Sequence, residues 1–104
     1  MSMHTRESDT AIIKTTAHLI VRNGLLEGTT IPLTAGQVTT IGRATTNRVV
    51  IPDEICSRNH CEVFFDGGVW KLRDLGSRNG TRIHGEPITG DVQLSEGRQF
   101  QIGS

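Results

Sequence analysis

Apolar residues in this chain recur at every second position in short runs, and no stretch carries the period of a long amphipathic helix. In 60–65 (HCEVFF) Cys61, Val63 and Phe65 share one face, and in 69–74 (VWKLRD) Trp70 and Leu72 face away from Lys71 and Arg73. The same texture predicts strands over 17–22, 29–33, 37–42 and 48–51, with shorter pieces near 81–83, 92–94 and 98–102. Asp66-Gly67-Gly68 between two such runs reads as a tight hairpin, because glycine supplies the positive φ that the turn demands. Many short strands with one apolar face each must bury those faces against a second sheet. The pattern therefore predicts an all-β fold, an antiparallel β-sandwich, with a small barrel as the alternative. Residues 1–16 are polar at first, rich in Ser and Thr and without sustained period. They are expected to be a flexible N-terminal tail, with the folded domain spanning 17–104.

Composition narrows the function classes. At 104 residues the chain holds one domain. Its 11 basic and 11 acidic residues cancel, so the broad electrostatic footprint of a nucleic-acid binder is absent and any anion site must be local. Nine of the 11 cations are Arg, the planar, bidentate donor suited to phosphate and carboxylate. No apolar run approaches the roughly 20 residues of a membrane span. Two cysteines without a secretory signal pattern read as free thiols in a reducing compartment, hence a cytoplasmic location.

The candidate chemistry lies in four polar loops, at 42–47, 56–60, 76–81 and 84–87. The tripeptide Ser-Arg-Asn occurs in two of them, at 57–59 and 77–79. Loops gather at the ends of a sandwich, so several of these can form one surface. They hold Arg43, Arg58, Arg78, Ser57, Ser77 and Asn79, the donor set for a dianionic phosphate; solvated turns are the plain alternative. A metal site would draw on Cys56, His60, Cys61 and His84. However, consecutive residues of a strand point to opposite faces, which separates His60 from Cys61. A nucleophile reading would pair Cys56 or Ser57 with His60 as base, yet no G-x-S-x-G elbow surrounds Ser57 and no third orienting group is specified. No catalytic residue, metal or cofactor is expected.

Thr40-Ile41-Gly42-Arg43, then Ile51-Pro52-Asp53, Ser57-Arg58-Asn59-His60, and Asp74-Leu75-Gly76-Ser77-Arg78-Asn79-Gly80-Thr81, in this order, resemble the signature of the forkhead-associated (FHA) domain. The resemblance runs from about Leu19 to Gly103. It implies a β-sandwich without catalytic activity that binds phosphothreonine peptides through loops at one end, as a signalling module. By position it implies that Arg43 contacts the phosphate or the adjacent peptide, that Ser57, Arg58 and Arg78 reach the phosphate, that Asn79 reads the peptide main chain, and that Gly42, His60 and Gly80 shape the loops. It also implies a niche for the threonine methyl. His84-Gly85 stands where the family often has Asn-Gly, and Arg98 stands where an acidic residue is usual.

The family adds one more strand after the position of Gly103, so the resemblance implies a C-terminally truncated sandwich with an open sheet edge, a place for self-association. The implied partner is a phosphothreonine protein, with no direct nucleic-acid or membrane binding. A phosphate-independent interaction module on the same fold is the alternative. Thr10, with Ile13 three residues on, is a candidate ligand within the chain or for a neighbouring copy, against the plainer reading of an unmodified leader.

Overall fold

The computed structural model describes residues 1–7 and 15–103, and Thr10 lies outside them. Among the described residues eleven strands follow in chain order: β1 (Ser2–Glu7), β2 (Thr16–Val21), β3 (Thr30–Thr34), β4 (Thr39–Gly42), β5 (Val49–Val50), β6 (Cys61–Asp66), β7 (Val69–Asp74), β8 (Thr81–Ile83), β9 (Glu86–Pro87), β10 (Asp91–Gln93) and β11 (Gln99–Ile102). They form two sheets, one of six strands in the order β3-β2-β1-β11-β8-β9 and one of five in the order β10-β7-β6-β4-β5. The predicted all-β sandwich is the observed class. Every pairing is antiparallel except β4 with the two-residue β5, where the chain crosses back parallel.

The period-2 pattern explains which faces meet. Ala17, Leu19 and Val21 of β2, Ile31 and Leu33 of β3, and Phe100 and Ile102 of β11 alternate with exposed or half-exposed neighbours and turn inward. Ile41, Cys61, Val63, Trp70 and Leu72 answer them from the other sheet. Full burial of each large aliphatic or aromatic side chain contributes on the order of 1.5–3 kcal/mol, so this seam is the main source of stability. Trp70 is the largest member, and Phe65 meets it edge to face with ring centroids 5.1 Å apart.

The N-terminal residues correct the expectation of a tail over 1–16. Ser2–Glu7 form β1 in the middle of the six-stranded sheet, in register with β2 (Met3 opposite Val21, Thr5 opposite Leu19) and with β11 (Ser2 opposite Gln101, His4 opposite Gln99). Met3 and Thr5 are fully buried. The tail reading failed because this strand brings only one large apolar side chain, too little for its alternation to stand out. Its presence also corrects the expected open edge. No described strand follows β11, but the place beside β11 that a returning chain would take is held by β1, and β11 has a partner on both sides.

Candidate ligand-binding loops

Three of the four polar loops converge at one end of the sandwich. The loops 43–48 and 51–60 are zipped by Arg43 N–H donating to the Ser57 carbonyl (2.9 Å) and Ala44 N–H to the Arg58 carbonyl (3.1 Å). This contact needs Gly42, since a Cβ there would stand 2.2 Å from the Arg58 oxygen and 2.7 Å from Asn47 Nδ2. Asn47, itself buried, clamps the same crossing by donating Nδ2–H to the carbonyls of Ala44 (2.9 Å) and Arg58 (2.7 Å).

His60 ties the second loop to the third. Its Nδ1 accepts from Ser57 N–H at 3.0 Å, which places the proton on Nε2, and Nε2–H donates to the Gly80 carbonyl at 2.9 Å. The ring is fully buried. With both nitrogens engaged by backbone, it has none left to take a proton from Ser57. Gly80 turns with φ 83°, and its carbonyl also accepts from Gly103 N–H at 3.0 Å.

Asp74 holds the third loop. Its Oδ1 accepts from the hydroxyls of Ser77 (2.5 Å) and Thr81 (2.7 Å), and its Oδ2 from the amides of Gly76 (3.0 Å) and Ser77 (2.9 Å). Burial works to raise the Asp74 pKa, but these hydrogen bonds outweigh it and hold the carboxyl below its ordinary range.

On this frame the candidate ligand residues come together. Ser57 Oγ accepts from Arg78 N–H at 2.9 Å, which leaves its own proton free to donate outward. Arg43 Nε–H is anchored on the Cys56 carbonyl at 3.1 Å, and Asn79 Nδ2–H on the Ile55 carbonyl at 2.9 Å. Arg43, Arg78, Asn79, Ile55 and Glu54 line an open depression of about 480 Å³. Half-buried Ser57 and exposed Arg58 are not part of the lining. The fourth loop does not join: His84, with φ 52°, turns the chain at the far end of β8 and lines a different cavity. Cys56 and Cys61 are both free and buried, and burial pushes the Cys56 thiol up to about 11 and the Cys61 thiol higher still. Neither is poised as a thiolate.

Asn47 and Asp74 escaped assignment from sequence. Asp74 had a readable signal, since an Asp placed two and three residues before backbone amides favours an Asx-type turn. Asn47 had none, because its partners lie across a tertiary crossing.

A β-sandwich that gathers guanidinium, hydroxyl and amide donors on braced loops at one end defines a binding module. The chain belongs to the FHA family: the FHA domain model matches residues 39–103. The family consists of non-enzymatic, phosphopeptide-binding interaction modules of signalling proteins. Among its relatives is the FHA domain-containing protein FhaB of Mycolicibacterium smegmatis, 36% identical over 85 residues, which are 82% of this chain and 54% of that protein. The chain thus spans about half the length of the curated relatives it matches. Among solved structures, the FHA domain of an Arabidopsis thaliana hypothetical protein superposes with a TM-score of 0.79 at 28% identity, covering 93% of this chain and 85% of that one. EmbR of Mycobacterium tuberculosis, in complex with a low-affinity phosphopeptide, superposes with a TM-score of 0.70 at 29% identity, covering 88% and 25%. No helix among the described residues is long and apolar enough to cross a membrane.

Proposed function

We propose that this domain reads phosphothreonine on a partner protein through the loops 43–48, 51–60 and 75–80. The observation that carries the reading is the depression bounded by Arg43, Arg78 and Asn79, with Ser57 Oγ held next to it by the Arg78 amide. A phosphate with roughly −1.5 to −2 charge and three acceptor oxygens matches this set. Arg43 and Ser57 bind the phosphate, Arg78 completes its neutralisation, and Arg58 adds charge from the rim. Asn79, held by Ile55, presents its remaining amide capacity to the peptide main chain. Gly42, His60 and Gly80 keep the three loops at contact distance. A cytoplasmic location is part of the proposal, and the free thiols of Cys56 and Cys61 support it.

The test is a titration with matched phosphothreonine, phosphoserine and unmodified peptides, expected to rank in that order. Arg43→Ala and Ser57→Ala should each weaken the first by about tenfold or more, the loss of one charge-assisted hydrogen bond. Equal binding of all three peptides overturns the proposal in favour of a phosphate-independent interaction module.

A further inference from the structure

The chain is neutral overall, but its charges are arranged differently on the outer faces of the two sheets. On the five-stranded sheet the cations are neutralised locally: Arg73 is clasped by Asp91 (2.7 and 2.8 Å) and Glu62 (3.1 Å), and Lys71 by Asp66 (2.9 Å). The outward positions of the six-stranded sheet are different. Alternation with buried Met3 and Thr5 turns exposed Arg6 of β1 outward, with His4 on the same side but itself buried, and the same rule places His18 on β2, Gln99 and Gln101 on β11, and half-buried Arg82 on β8. Arg22 follows β2 on this side, with Nη1 3.5 Å from His4 Nδ1. These strand positions carry no carboxylate among the described side chains.

The band ends in a cavity of about 510 Å³ lined by Arg82, His84, Arg98, Gln99, Gln101 and Glu96, together with Ser95 and Gly97. Arg82 is braced there by donating Nη1–H to the Gly85 carbonyl at 3.2 Å, while its Nε is buried without a hydrogen-bond partner. Glu96 is the one carboxylate in the lining. Beneath the band, burial first, then Arg22 and Arg6, lower the His4 pKa from its ordinary value.

We propose that this outer face is a second docking surface, separate from the phosphopeptide loops, and that its partner is an acidic segment of a protein. The cavity lies at the end of β8 opposite Gly80, so a ligand in the loops leaves it free. From β1 to β8 is two strand spacings, roughly 10 Å, within the span of a few extended residues. Arg forks pair with carboxylates bidentately, and the Gln99 and Gln101 amides donate to the same oxygens. A nucleic acid is a poorer match, because a domain of zero net charge offers a long polyanion no extended attractive field.

The proposal is tested by fluorescence anisotropy of a labelled ten-residue peptide of Glu and Asp against the full chain. Binding is expected to weaken about tenfold or more in the Arg82→Glu/Arg98→Glu variant and several-fold between about 50 and 200 mM salt. Arg98→Glu alone, an exposed position, should weaken it in the same direction even where the double variant folds poorly. A saturating phosphothreonine peptide should not displace the acidic probe, and the Arg98→Glu variant should bind that phosphopeptide as the wild type does. Equal binding by wild type and Arg98→Glu, displacement by the phosphopeptide, or tighter binding of a ten-nucleotide single strand each overturns the proposal. Its failure leaves the phosphopeptide titration untouched.

Discussion

Gly42 sits where one loop crosses the backbone of another, and its role follows from space, not from flexibility. Its φ is ordinary, but an added Cβ would fall inside the contact distance of the Arg58 carbonyl. Gly42→Ala is expected to cost about 1–3 kcal/mol in a urea or thermal melt, as an overpacked site does, and to weaken phosphopeptide binding further by moving Arg43 away from Ser57. An unchanged melt and affinity would show that the two loops can separate freely. Asp74 acts through charge and hydrogen bonding. Because its folded pKa lies below its unfolded value of about 3.9, its stabilisation is fully present above that unfolded value and is lost as pH falls through the folded pKa. Asp74→Asn should therefore destabilise by about 1–3 kcal/mol at pH 7, with the gap to wild type closing below about pH 4. Urea melts across that range check it, and a pH-independent gap would contradict it. At this scale the sequence showed the candidate ligand residues better than their supports. Arg43, Ser57 and Asn79 sit in polar loops that exceed what a turn needs, whereas Asn47 looks like any loop asparagine until the Arg58 carbonyl is placed against it.

At the scale of elements, the decisive feature is β1. Strands with two or three bulky inward residues, such as β6 and β7, were legible with nearly their observed bounds. β1 was not, since its inward positions are Met3 and Thr5 and the Thr5 hydroxyl is buried without a partner. It is nonetheless the strand that joins β3-β2 to β11-β8-β9. Met3→Ala should destabilise by about 2–5 kcal/mol, the usual cost of emptying a buried site of this size. Leu25→Ala, at a position 66% exposed, should change stability by less than about 0.5 kcal/mol. If the two variants melt alike, β1 is an appendage and not part of the core. The two-residue β9 was missed for a related reason: Glu86–Pro87 is too short to show any alternation.

For the molecule as a whole, a sandwich closed by β1 carries two kinds of polar surface. One end presents the braced loops with Arg43, Ser57, Arg78 and Asn79, and the outer face of the six-stranded sheet presents Arg6, Arg22 and Arg82. A partner bearing both a phosphothreonine and an acidic stretch would engage both at once, with the second contact strengthened by its effective concentration. The sequence alone determined the strand periodicity and the turns, which depend on neighbours two to six residues apart, and the loop signature, which is an order of short motifs along the chain. Only the tertiary structure decided the rest. It placed the N-terminal residues at the centre of a sheet, directed the two nitrogens of His60 to separate loops, and paired Arg73 and Lys71 with carboxylates on the outer face of one sheet while the other sheet's outer face gathered Arg6, Arg22 and Arg82. Each of these depends on residues far apart in sequence, whose meeting is set by how the two sheets close over one core.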